Sequence, residues 1–232
     1  AGAPWFVKGP ASMCPAGMCS NGCLHGGFQE RFRAETFTDA QIEMVKPDLA
    51  TICEKRTNWN PTGLEQASCY HAVGHLSMYL TGADIHKAGE LCNYAALKSD
   101  GRNFTQTCLD GTFMQIFQPL EPDDFALIVG KEVKKDELKS FCMKFQGQQR
   151  TSCWHEGWPL YVSEITKPEG LMNYCNSSVL STDADHDQCF LSLFYVLMVQ
   201  FKFNINEVQT FCSALPEKRL NQCFANTASR LI

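Results

Sequence analysis

Three of the six histidines in this chain stand at one offset from a cysteine. His25, His71 and His155 follow Cys23, Cys69 and Cys153 by two residues, and Asp110 holds the same place after Cys108. Imidazole and carboxylate groups are ligands for Zn or Cu ions, so this column reads as a metal-binding candidate. A fourth histidine, His75, lies four residues beyond His71 in Cys69-Tyr70-His71-Ala72-Val73-Gly74-His75. Residues four apart share one face of a helix, so both rings can reach one ion. Two ligands do not complete a site. Packed helices lie about 8–10 Å apart, so a third ligand must come from an adjacent unit. The expected set is therefore His71 and His75 with His25 or Asp110, and Glu30 is a reserve ligand on the helix of His25. His155 lies a unit further along and is a weaker candidate.

The same column has a plain structural reading: a polar side chain near a helix start can hydrogen-bond the preceding turn. A catalytic reading would use His155 or Glu156 as the proton carrier of a metal-dependent enzyme. Adjacent helical residues point about 100° apart, so that dipeptide alone says little. The chain has no His-Glu-x-x-His helix, no Gly-x-Ser-x-Gly elbow and no phosphate-cradling glycine loop. Asp183-Ala184-Asp185-His186-Asp187 lacks the Gly and Glu of a calcium loop, and its acids suit a helix N-terminus instead.

The elements that must position these residues are written in the cysteines. Ten of the 13 fall into five consecutive pairs: Cys53–Cys69, Cys92–Cys108, Cys142–Cys153, Cys175–Cys189 and Cys212–Cys223. The second cysteines recur after 39, 45, 36 and 34 residues, inside the period range of helical hairpin repeats. Four residues before each first cysteine stand Leu49, Ala88, Leu138, Leu171 and Val208, all apolar and on the cysteine's own helical face. One residue after each second cysteine stand Tyr70, Leu109, Trp154, Phe190 and Phe224, and nine after stand Met78, Phe117, Val162, Met198 and Ile232. The pattern predicts a short helix A and a longer helix B in each unit, joined by a polar turn and one disulfide. Each such loop closure contributes on the order of 3 kcal/mol by restricting the unfolded chain. Pro47 and Pro168 mark places where an A segment must start or kink.

Cys23 heads one more B-type helix, with Leu24 and Phe32 continuing both columns, and Cys14 is its expected partner. Cys19 is then the odd thiol. Residues 1–22 hold four Gly and three Pro without a helical period and read as an extended arm, leaving 23–232 as a single helical-repeat domain of about six units. The fold class is all-α: disulfide-stapled helix–turn–helix repeats stacked as a short curved solenoid.

Thirteen cysteines without a Cys-x-x-Cys knuckle favour disulfides over thiolate metal sites, and with them an oxidising compartment. The Ala1-Gly2-Ala3-Pro4 start fits a processed signal peptide, and the sequons Asn103-Phe104-Thr105 and Asn176-Ser177-Ser178 fit secretion. A net charge of −5 without a basic patch argues against a nucleic-acid partner. The most apolar run, Phe190 to Phe203, falls short of the roughly 20 residues a transmembrane segment needs.

On these cysteine-bounded hairpins the chain resembles the cysteine-rich secreted relatives of tetratricopeptide repeats, over most of residues 35–232 and at the level of architecture. That resemblance implies a scaffold for binding a partner and no particular chemistry. The expectation is a secreted, periplasmic or cell-surface binding module that takes a metal, a small ligand or a protein partner on its concave face. The rival expectations are a metal-dependent enzyme using the same column, and a structural subunit of an extracellular homo- or hetero-oligomer tied through the arm and Cys19.

Overall fold

The computed structural model describes residues 36–57 and 59–228. All regular structure among them is helical, accompanied by two isolated bridges, Arg56–Trp59 and Leu97–Asn103. All five expected disulfides are present: Cys53–Cys69, Cys92–Cys108, Cys142–Cys153, Cys175–Cys189 and Cys212–Cys223. The residue four positions before each first cysteine is buried in all five hairpins, as a helix face carrying the cysteine requires. The expected Cys14–Cys23 bridge, the odd thiol Cys19, and the arm of residues 1–22 lie outside the described residues. The chain divides into two compact units, Ala1–Val133 and Lys134–Ile232. The boundary falls in the longest interval between second cysteines.

In the first unit, α1 (Asp39–Leu49) and α2 (Gly63–Leu80) form one hairpin, and α3 (Ile85–Ala96) and α4 (Thr105–Phe117) the next. A short helix α5 (Pro122–Leu127) follows within the long interval. Threonine starts the first two helices. Thr38 accepts from the Gln41 amide, Thr62 accepts from the Glu65 amide, and each partner side chain reaches back to the cap. From Cys69 to Leu80 almost every residue of α2 is buried, so this helix is the axis of the unit. Pro47 sits inside the last turn of α1, near the end of the helix.

The turns of these two hairpins are tied by one half-buried polar cluster. The Tyr70 hydroxyl donates to Glu54 at 2.7 Å, and Arg102 donates to the same carboxylate at 2.8 Å. Lys98 lies over the Tyr70 ring at 4.7 Å, and Phe104 stacks on that ring at 4.9 Å. Lys98 also donates to the carbonyl of Ala95 at 2.6 Å and to that of Ala50 at 2.5 Å, so one ammonium satisfies carbonyls at the ends of α1 and α3.

In the second unit, a 3-10 turn over Lys135–Glu137 leads into α6 (Leu138–Cys142), and α7 (Gly147–Glu156) completes that hairpin. A 3-10 turn over Trp158–Tyr161 and α8 (Val162–Ile165) come next. Then α9 (Pro168–Cys175) pairs with α10 (Asp183–Gln200), and α11 (Ile205–Ser213) with α12 (Glu217–Ala228). Pro168 starts α9, where its missing N–H has no partner to lose. Asp183 and Asp185 occupy the first turn of α10 behind the Thr182 cap, the helix-start role expected of that acidic run.

One element departs from expectation. The column after the second cysteine predicts a continuous B helix from Cys153 to Val162, but α7 ends at Glu156. Pro159, lacking an amide hydrogen, sits in the 3-10 turn that replaces the next helical turn. Trp154 is held nonetheless. Its indole donates to the Tyr174 carbonyl at 3.1 Å, the Tyr174 hydroxyl donates back to the Trp154 carbonyl, and the rings stack at 4.8 Å.

Candidate metal centre

Helix α2 presents His71, His75 and Tyr79 one turn apart. Their surroundings depend on how closely α4 approaches. A Cβ placed on Gly74 would lie 1.9 Å from the Cys108 carbonyl oxygen, and one on Gly111 would lie 2.0 Å from the His71 carbonyl oxygen. The two helices therefore cross backbone to backbone at a pair of glycines, which no residue with a side chain permits. That approach carries Gln115 of α4 up to the histidines.

The two imidazoles face each other with Nε2 to Nε2 at 3.3 Å, their rings edge to face at a centroid distance of 5.1 Å. His75 Nδ1 lies 2.7 Å from Gln115 Oε1. A carbonyl oxygen only accepts, so Nδ1 donates and the neutral ring keeps its Nε2 lone pair toward His71. Burial pushes the His75 imidazole below its usual range, against the upward pull of the Gln115 contact and the Asp124 charge. Neutral imidazole is the form that ligates metals. The spacing also suits a shared ion. Zn–N bonds of about 2.05 Å at a tetrahedral angle put two nitrogens about 3.3–3.4 Å apart.

One turn beyond His75, Tyr79 makes a second polar contact. Asp124 at the start of α5 accepts from the amides of Leu120 at 3.1 Å and Glu121 at 3.0 Å, and from the Tyr79 hydroxyl. Burial acts to raise the Asp124 carboxyl, but the Tyr79 hydroxyl, the Glu121 amide and Gln115 outweigh it and leave it below the usual carboxylate range. Burial and the contact with Asp124 push the Tyr79 phenol far above its ordinary value. The Gln115 contact fixes the orientation of His75 in the way that outer hydrogen-bond partners orient metal-ligating histidines.

Among the described residues, no group of three or more His, Cys, Asp or Glu is gathered closely enough to hold a metal ion. The structure thus brings together His71 and His75 of the expected set. Asp110, on α4, accepts from Gln106 at 3.1 Å within its own helix. His25 and Glu30 lie outside the described residues. His155 is buried on α7 of the other unit, followed by the half-buried Glu156. Reasoning from the sequence missed Gln115, Tyr79 and Asp124. Tyr79 continues the four-residue step from His75 and was open to the same argument. Gln115 and Asp124 carry no such signal, because they join the site across 40 and 45 residues of chain.

Comparison with protein-family models, curated proteins and solved structures found no match to this chain. The kinship with tetratricopeptide relatives therefore gains no support beyond a helical chain with disulfides linking its helices.

Proposed function

We propose that this chain is an extracytoplasmic binding module that holds one Zn or Cu ion on His71 and His75, with a further ligand drawn from His25 or Glu30. The observation that carries the reading is the 3.3 Å separation of the two Nε2 atoms, with His75 oriented by Gln115 from behind. Five disulfides suit an oxidising compartment, and among the described residues no helix is long and apolar enough to cross a membrane. In this reading the glycine crossing and the Gln115 contact preorganise a ligand pair on a rigid helix.

The test is metal content under matched folding. Purified, oxidised protein is stripped with chelator, dialysed against Zn²⁺ or Cu²⁺ and analysed for bound metal. The expected result is one equivalent in the parent chain and none in His71→Ala or His75→Ala, with helical circular dichroism and disulfide mass unchanged. Gln115→Leu should keep the ligands and weaken affinity by about 10–100-fold, the range for loss of a partner that orients a ligand. No stoichiometric metal in the parent, or retention in His75→Ala, overturns the proposal.

A further inference from the structure

The two sequons occupy equivalent kinds of place in the fold: both lie between the two cysteines of a stapled hairpin. Asn103 stands in the turn between α3 and α4, inside the Cys92–Cys108 loop. Asn176 caps the end of α9, directly after Cys175 and inside the Cys175–Cys189 loop. Both asparagines are exposed. The Asn103 Oδ1 accepts from the Thr105 amide at 2.9 Å, which commits the oxygen, and among the described residues Nδ2 has no hydrogen-bond partner. Among the described residues the Asn176 side chain has no hydrogen-bond partner. A third exposed asparagine, Asn60, is followed by Pro61 and Thr62, and proline in the middle position forbids modification. It is a control supplied by the chain itself.

The hydroxyl-bearing residues differ between the two sequons. Ser178 is exposed, whereas Thr105 is 3% exposed, folded into the first turn of α4. A transferase that must reach both the amide and the hydroxyl finds Asn176 open in the folded chain. It finds Asn103 open only while the Cys92–Cys108 hairpin is unformed.

We propose that Asn103 and Asn176 are acceptors for N-linked oligosaccharide, and that closure of the Cys92–Cys108 hairpin limits modification at Asn103 but not at Asn176. The inference rests on the extracytoplasmic reading and is independent of the metal site. The donor is a polyprenyl-diphosphate oligosaccharide. A bond forms between Nδ2 and the anomeric carbon as the bond from that carbon to the diphosphate oxygen breaks. Nδ2 gives up one proton, and the lipid diphosphate leaves. Once the turn forms, the Asn103 Oδ1 accepts from the Thr105 amide, and that bond leaves Nδ2 to carry the glycan. A bulky polar group at either position faces water and adds no buried surface.

The experiment expresses the full chain behind a secretory leader in a eukaryotic cell that glycosylates. Intact mass is measured before and after an amidase that removes N-glycans and converts the modified Asn to Asp. Peptide mapping then reads occupancy at each site. Two glycans are expected, one lost in Asn103→Gln, one lost in Asn176→Gln, and none at Asn60. Adding a membrane-permeant thiol during synthesis delays hairpin closure and should raise occupancy at Asn103 while leaving Asn176 unchanged. A secreted, fully disulfide-bonded chain without glycan at either asparagine overturns the proposal and leaves the extracytoplasmic reading standing. A chain that stays in the cell with reduced thiols removes that reading, and the glycans with it. Equal occupancy at both sites regardless of thiol overturns the folding-order component.

Discussion

Helices α2 and α10 are the same structural part used twice. Each is 18 residues long, starts behind a threonine in a capping box, and carries its cysteine in the second turn. Thr62, Cys69, Met78 and Cys92 correspond to Thr182, Cys189, Met198 and Cys212 at one constant offset of 120 residues. Even the exit turns match. The amide of Ala83 donates to the Met78 carbonyl and that of Phe203 to the Met198 carbonyl, both at 2.8 Å. Asp84 and Asn204 then cap the next A helix by the same two-amide arrangement. What differs is the face. His71, His75 and Tyr79 correspond to Leu191, Tyr195 and Val199, and Gly74 to the buried Phe194. The scaffold tolerates either content, so the chemistry depends on whether a neighbouring backbone can come close.

The largest effect should follow from attacking that approach. Gly74→Ala forces a methyl against the Cys108 carbonyl, a backbone atom that cannot step aside. We expect a loss of about 3 kcal/mol or more, read from urea unfolding, together with loss of the His75–Gln115 contact. Gly157→Ala in the second unit meets the end of the Leu138 side chain at 2.7 Å, and its nearest backbone atom, the Cys153 carbonyl oxygen, lies further off at 3.3 Å. It should cost about 1 kcal/mol, since a flexible side chain can move. Equal costs at the two glycines would remove the distinction between these two positions.

A smaller effect is expected at the polar cluster that ties the turns of the first unit. Burial raises the Glu54 carboxyl, but hydrogen bonds from Tyr70 and Arg102 and the nearby Lys98 charge outweigh it, and the group titrates below its ordinary value of 4.5. A carboxyl depressed on folding stabilises fully above its ordinary value, and that stabilisation drains away as pH falls through the lower folded value. Tyr70→Phe should cost about 2 kcal/mol at neutral pH, the scale of a hydrogen bond to a charged group. It should also shrink the loss of stability on acidification below 4.5. A variant with the parent's acid profile would show that the cluster contributes nothing through Glu54.

The smallest effect separates the two exit turns. Gly82 and Ala83 hold φ of 61° and 58°, and Lys202 and Phe203 hold 51° and 57°. A left-handed conformation costs a residue with a side chain about 1–2 kcal/mol, partly offset by the greater freedom glycine has when unfolded. Lys202→Gly should therefore stabilise by up to about 1 kcal/mol, measured by thermal unfolding. Gly82→Ala should destabilise, since its methyl would also meet Thr36 at 3.0 Å. Opposite signs at corresponding positions are the outcome that supports the equivalence of the turns.

Much of the fold was legible because each hairpin is local. The disulfides close separations of 11 to 16 residues, and the apolar positions around each cysteine repeat at helical spacing. Thr38, Thr62 and Thr182, each with an acceptor three residues on, mark helix starts by chemistry confined to one turn. The helix that begins at Gly147 stops short of its apolar column because Pro159 lies in the path, where proline's missing donor outweighs a matching apolar residue downstream.

The site divides along the same line. That His71 and His75 share a face is settled by four residues of helix, so the amino-acid order alone determined it. That Gln115 holds His75, and that Asp124 and Tyr79 stand behind it, was decided by the packing of α4 and α5 against α2. The physical reason is range. Helical period and loop closure act over a few residues and leave a periodic trace in the chain, whereas a backbone crossing between two glycines joins groups about 40 residues apart and leaves none.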